Sequence, residues 1–346
     1  MGIEVLDISK CKDGYILAED IASKHGAAVA TTYTALNSYI INKLNDLGIN
    51  RIKVFKPGSD QIDSDVSIRL KRSYGEKAFA AKEILSEVAA TGKLDVKKIN
   101  KLSDSIYSEV GETDFIIGCL NEIRNLDEYT YYHCLNVSFY SALIGRWLQL
   151  PEDEIAKVIK SGLLHDIGKT KVSSEIINKK SKLFPREFEE IKMHTIYGFD
   201  MIEKAKYVSA DVKIAVLMHH EREDGSGYPY GHGGEQITKY AKIIAVADVY
   251  DAMTSQRVYR KKATPFEVFE MFMTEGVNRF DISIMNTFLK NIAPYYVGSK
   301  VELNTGMIGE VVYIPPHCIT RPVIKVGTRY IDLSKDEGYG IIACSF

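Results

Sequence analysis

The chain has no run of eighteen consecutive apolar residues, so the usual mark of a membrane-spanning helix is missing. Its opening, MGIEVLDISKCKDGY, mixes polar and apolar residues and lacks the apolar centre of a secretory signal. Leu6 stands where a myristoylation signal wants Ser or Thr. Five cysteines, Cys11, Cys119, Cys134, Cys318 and Cys344, are odd in number and never spaced as CxxC. This argues against a disulfide framework or a thiolate zinc site and predicts reduced thiols in a cytoplasmic protein. A basic excess is missing too, since 44 Lys+Arg face 46 Asp+Glu for a net charge of −2. A general nucleic-acid binder needs the opposite balance, so no nucleic-acid polymer is expected as a partner. Neither an internal repeat nor a low-complexity tract is found in the 346 residues.

What is present supports a sizeable core, with 45% hydrophobic and 26% charged residues. The pattern predicts a mainly α protein with a small N-terminal α/β module and a small C-terminal β unit. Residues 1–56 carry β-like runs at Tyr15–Leu17 and Arg51–Phe55 around a helix-like stretch, Thr34–Leu47, and Lys56-Pro57-Gly58-Ser59 closes the module. Residues 57–110 read as a helical connector and 111–295 as the main helical domain. Helix starts are marked by Pro151 before Glu152-Asp153-Glu154, and by Thr264-Pro265-Phe266-Glu267, a capping box with proline in the first turn. Residues 296–346 read as strands at Val301–Leu303, Gly309–Ile314, Val323–Val326 and Tyr330–Leu333, with a hairpin turn at Asn304-Thr305-Gly306.

Five of the eight histidines, His133, His165, His194, His219 and His220, fall in the helical middle, beside Asp166, Asp248 and Asp251. In DEIAKVIKSGLLHDIGK, Ile155, Val158, Ile159 and Leu163 form one stripe. His165 and Asp166 come seven residues after Val158 and Ile159, two turns along the same face, so the pair points inward. A buried carboxylate without a partner costs several kcal/mol, which calls for a metal or a cation beside it. Lys169 lies on that face as well. In AKIIAVADVYDAM, Asp248 shares a stripe with Ala241, Ile244, Ala245 and Ala252, and Asp251 is placed to support it from behind. His219 and His220 end the apolar run Ile214–Met218 and open a loop, GluArgGluAspGlySerGlyTyrPro. A lone histidine on an apolar face is ordinarily a hydrogen-bonded core residue. Five of them with two inward carboxylates need a common explanation. Imidazole and carboxylate without thiolate suit iron, manganese, zinc or nickel.

HDIGK at His165–Lys169, together with HHEREDGSGYP at His219–Pro229, resembles the HD-GYP branch of the HD phosphohydrolases. The resemblance covers roughly residues 111–295 and implies an HD-type helical bundle. By this resemblance His133, His165 and Asp248 would hold one metal and His194, His219 and His220 another, with Asp166 bridging both. Two divalent ions are implied, Fe or Mn first, with Zn or Ni as alternatives. Members with a third metal carry glutamate four residues before the first histidine. Tyr129 stands there in this chain, with Glu128 one step off, which favours two metals. Thr195 replaces a proline common in the family.

The implied activity is hydrolysis of cyclic di-GMP to linear pGpG, with GMP as a further product, by a hydroxide bridging the metals. Asp166 and Lys169 are the implied catalytic residues. Lys169, Tyr228, Arg257 and Arg260 are the implied substrate contacts, and the GYP loop would dock a GGDEF-type or other signalling partner. A homodimer is a further expectation. Two rival readings remain: an HD-GYP protein that binds cyclic di-GMP or a partner without hydrolysis, and an enzyme for another cyclic dinucleotide such as cyclic GMP-AMP.

Overall fold

The structure is a computed structural model, and it describes residues 3–23, 28–30, 34, 36–55, 60–111, 116–117, 120, 129–179, 181–205, 207–255 and 262–345. The chain divides into two compact units. One comprises Met1–Arg69, Ala263–Glu270 and Leu289–Phe346, and the other Leu70–Lys262 and Met271–Phe288.

The first unit is built on antiparallel sheets. Strands β1 (Ile3–Asp7), β2 (Ile16–Leu17) and β5 (Arg51–Phe55) pair in the order β1-β5-β2, and β3 (Ile21–Ala22) pairs with β4 (Ala28–Ala30). Strands β6 (Lys300–Leu303), β7 (Ile308–Tyr313), β8 (Val323–Val326), β9 (Arg329–Asp332) and β10 (Ile341–Ser345) form a second sheet in the order β10-β6-β7-β8-β9. Gly306, at φ +80°, makes the turn between β6 and β7 that Asn304-Thr305-Gly306 predicts. Helix α1 (Ser38–Asp46) starts at Asn37, whose side chain accepts from the Ile40 amide at 3.0 Å and donates to the Val312 carbonyl at 2.5 Å. That one residue ties the N-terminal segment to β7. Ile8, Leu17, Ile40, Leu44, Ile52 and Val54 share a core with Val312, Tyr313 and Val323. The two ends of the chain, which read from sequence as separate small regions, fold around this common core. The physical reason is size: about fifty residues bury too little apolar surface to be stable alone.

The second unit is helical and carries the candidate site. It contains part of α2 (Asp60–Thr91), then α3 (Val96–Glu109), α4 (Tyr129–Trp147) and α5 (Glu152–Leu164). A 3-10 turn over Ile167–Lys171 follows, then α6 (Ser174–Ile177), α7 (Pro185–Lys192), α8 (His194–Glu203), α9 (Ala210–Met218) and α10 (Lys239–Thr254). Helix α5 follows Pro151 and has three acids in its first turn, where the helix dipole favours them. It buries Ile155, Val158, Ile159 and Leu163 against α3, α4, α9 and α10. Each such side chain contributes roughly 1.5–3 kcal/mol on burial. Gly162 permits the close approach of α4, because a Cβ there would lie 2.8 Å from the Ser138 Cα. Helix α10 is buried on nearly every side, Asp248 and Asp251 included. Helices α11 (Pro265–Met273) and α12 (Ile282–Ile292) follow in the chain, each with residues in both units. The capping box of α11 forms as its sequence predicts: the Thr264 amide donates to Glu267 at 2.6 Å and the Glu267 amide to the Thr264 hydroxyl at 3.2 Å.

Candidate metal centre

Three of the five histidines owe their orientation to helix ends. His165 follows the last residue of α5, His219 follows the last residue of α9, and His194 stands two residues after α7. The last four carbonyls of a helix have no partner within it. The Nδ1–H of His165 donates to the Gly162 carbonyl at 2.8 Å, that of His219 to Val216 at 2.7 Å, and that of His194 to Ile191 at 2.6 Å. A carbonyl only accepts, so Nδ1 carries the proton in each ring. The Nε2 lone pair then faces the interior, as a metal ligand requires. His133, on α4, is oriented by another route, with Nδ1 2.7 Å from the Asp251 carboxylate and Nε2 turned to the interior. Asp251 is held in turn by the Asn136 amide at 2.9 Å and the Ser255 hydroxyl at 3.1 Å.

These rings converge on Asp166. Its Oδ2 lies 3.3 Å from His165 Nε2 and 3.6 Å from His133 Nε2, while Oδ1 lies 3.4 Å from His194 Nε2. Asp248 completes one side, 3.1 Å from His133 Nε2. Two groups of candidate ligand atoms result, each within 4.8 Å internally: His133, His165 and Asp248, and Asp166, His194, His219 and His220. His194 and His219 bring their Nε2 atoms to 3.3 Å of each other. With both Nδ1 positions occupied by carbonyls, two bare lone pairs face across that gap, an arrangement that a shared cation relieves. His165 Nε2 and Asp166 Oδ1 are buried and have no hydrogen-bond partner among the described residues. Buried polar atoms are seldom left so, and a metal ion satisfies both. The residues therefore fit divalent cations.

The electrostatics agree. Burial pushes the His194 imidazole down to about 4, and it holds His219 and His220 well below their ordinary value. Neutral rings are the ligating form. Burial opposes the charge on Asp166, but its interactions with neighbouring His165 and Lys169 outweigh it and hold the carboxyl well below the usual range. Burial likewise opposes a charged His133, yet its hydrogen bonds to Asp248 and Asp251 prevail and carry it up to about 9. Without cations, His133 and Lys169 bring positive charge to these carboxylates.

Lys169 donates from Nζ to Asp166 Oδ2 at 2.6 Å and keeps 28% of its side chain exposed, so it stands between the centre and solvent. Its position depends on Gly168. A Cβ there would meet the His194 carbonyl oxygen at 1.9 Å and the Gly198 amide at 2.4 Å. Only glycine lets the turn Ile167–Lys171 seat against α8. Tyr228 stacks on His220 at 4.6 Å, with its amide donating to the His220 carbonyl at 3.2 Å.

The structure thus brings together His133, His165, Asp166, Lys169, His194, His219, His220, Tyr228, Asp248 and Asp251. Arg257 and Arg260 lie outside the described residues, as does Glu128. Sequence reasoning missed Asn136 and Tyr74. Asn136 had a signal, being a polar residue one turn after His133 in the same helix. Tyr74 had none.

The HD domain family model matches residues 120–284. A cyclic di-GMP phosphodiesterase of Pseudomonas aeruginosa is 34% identical over 271 residues, 78% of this chain and 65% of that protein. A cyclic di-GMP phosphodiesterase of Thermotoga maritima is 32% identical over 198 residues, 56% of this chain and 53% of that protein. A 3'3'-cGAMP-specific phosphodiesterase of Vibrio cholerae is 34% identical over 150 residues, 43% of this chain and 32% of that protein. The chain spans two thirds or less of the length of these relatives. An HDG"Y"P protein from Bdellovibrio bacteriovorus shares the fold, with a TM-score of 0.54 at 14% identity over 83% of this chain and 98% of that one. No described helix is long and apolar enough to cross a membrane. Residues 120–284 therefore match an HD domain, and the motifs HDIGK and HHEREDGSGYP lie within them.

Proposed function

We propose that this chain is a metal-dependent phosphodiesterase that opens cyclic di-GMP to linear pGpG, with GMP as a further product. One observation carries the reading. Asp166 turns one oxygen toward His133 and His165 and the other toward His194, as a carboxylate shared by two cations would. His133, His165 and Asp248 would hold one ion, and His194, His219 and His220 the other, with Asp166 common to both. Imidazole and carboxylate ligands favour Fe or Mn, with Zn or Ni as alternatives. Bound there, such ions lower the pKa of water and polarise phosphoryl oxygens.

The chain's own groups do the rest. Asp251 and the helix-end carbonyls hold Nδ1 of His133, His165, His194 and His219, so these four ligands are oriented before binding. Lys169, protonated because Asp166 raises it against the opposing effect of burial, offers its charge where a phosphodiester oxygen would lie. Tyr228 is kept as a neutral phenol by burial and presents a ring and a hydroxyl at the site. Arg257 and Arg260 would grip phosphate or stack on guanine. The reading includes a cytoplasmic location, a homodimer, and a GGDEF-type or other signalling partner at the GYP loop. Tyr230, 58% exposed at the end of that loop, supports docking there.

The similarity to a 3'3'-cGAMP-specific enzyme supports cyclic GMP-AMP as the second reading for the same site. Chromatography of products from each cyclic dinucleotide, with wild type and Asp166→Asn, tests both. The proposal expects pGpG from cyclic di-GMP with wild type, and loss of metal and turnover together in the variant. Preference for cyclic GMP-AMP would change the substrate. A metal-loaded wild type that opens neither would leave a binding protein.

A further inference from the structure

One hydrogen-bonded chain enters the centre from outside the residues that match the HD domain. Tyr74, on α2, is 3% exposed and donates its hydroxyl to Asn136 Oδ1 at 2.5 Å. That bond decides which end of the Asn136 amide faces which way. With Oδ1 taken by a donor, Nδ2 points to Asp251 and donates at 2.9 Å. Asp251, held by that donor, accepts the Nδ1–H of His133 at 2.7 Å. The Nε2 of His133 is thereby aimed at Asp248, 3.1 Å away, and Asp166, 3.6 Å away.

From this geometry we infer that Tyr74 is a positioning residue for the His133 half of the centre, acting through Asn136 and Asp251. The inference rests on the two-cation reading above. Of the two ligand groups, only that of His133 is served by this chain. The rings of His194 and His219 are set by backbone carbonyls, which no side-chain change on α2 re-orients. The Tyr74 ring is itself fixed, stacked on Tyr132 and on Phe139 with centroids 6.1 Å apart in each case. Beside it on α2, Ser73 and Lys77 both donate to Glu109, at 2.5 and 2.7 Å, and pin α2 to α3.

Tyr74→Phe removes the hydroxyl and keeps the ring stack. The test is titration of metal-free full-length protein with Co2+, followed by absorbance and by the hyperfine-shifted imidazole N–H signals. The inference predicts two binding phases in wild type. In Tyr74→Phe one phase weakens about tenfold, as for other groups that orient metal ligands. The shifted His133 N–H signal moves, and those of His165, His194 and His219 stay. Asn136→Leu, which deletes the link while filling the space, must weaken the same phase, and Tyr74→Phe in that background must add little. Equal weakening of both phases, or none, would overturn the inference, since a general packing role is not selective. A wild type that takes up no Co2+ would instead remove the two-cation reading, and this inference with it.

Discussion

Replacing Gly168 with alanine tests how the fold sets the site with the smallest change available. The added Cβ would stand 1.9 Å from the His194 carbonyl oxygen and 2.4 Å from the Gly198 amide, where ordinary contact begins at 3.4 Å. Both obstacles are backbone, so no side chain can rotate away. The turn Ile167–Lys171 and α8 must separate by more than about 1 Å. Overpacking of this kind costs about 1–3 kcal/mol of stability. The larger consequence is chemical. Asp166 immediately precedes that turn, Lys169 lies within it and His194 starts α8, so the gap opens across the 3.4 Å between Asp166 Oδ1 and His194 Nε2. A displacement of about 1 Å at reacting groups lowers turnover about 100-fold. Urea denaturation and cyclic di-GMP turnover at saturating Mn2+ measure both effects. An alanine variant with turnover within about twofold of wild type and no loss of stability would refute this reasoning.

Other expectations follow from single contacts. Asp251→Asn turns an acceptor of the His133 proton into a group that also donates, so metal affinity should fall about 10–100-fold in an equilibrium titration; unchanged affinity would show that Asp251 does not set the ring. Lys169→Met should keep its metal, measured by elemental analysis, yet lose about 100-fold in turnover; a fall below tenfold would mean its charge does not act on the phosphodiester. In the metal-free protein, His194 titrates near 4 while the unfolded chain titrates near 6.5, so acidification protonates the unfolded state first. Stability should therefore fall between pH 6.5 and 4, by roughly 3 kcal/mol from this group. Thermal denaturation across that range, compared with His194→Gln, checks the slope, and equal slopes would contradict it.

Much of the centre was legible because helical spacing is a local rule. Asp166 falls two turns after Ile159 and Asp248 sits in an alanine and isoleucine stripe, so both had to face the core. His219 and His220 close an apolar run, and helix α9 does end there. The motif HHEREDGSGYP then separated one branch from a broad superfamily. What could not be read depends on contacts between distant residues. Tyr74 meets Asn136 across 62 positions, and Asn37 meets Val312 across 275. Strands β1 and β10 went unread for the same reason, since the ladder Ile3↔Phe55 has no signature within either strand. Gly168 was visible only as the fourth letter of HDIGK, and its need for glycine comes from a carbonyl 26 residues away that periodicity does not reveal.

Anomalous diffraction from metal-loaded crystals, collected on both sides of the Mn or Fe absorption edge, reaches the central claim directly. Two peaks flanking the Asp166 carboxylate are predicted, one among His133, His165 and Asp248 and the other among His194, His219 and His220. A single peak, or none at either ligand group in protein saturated with metal, would contradict it.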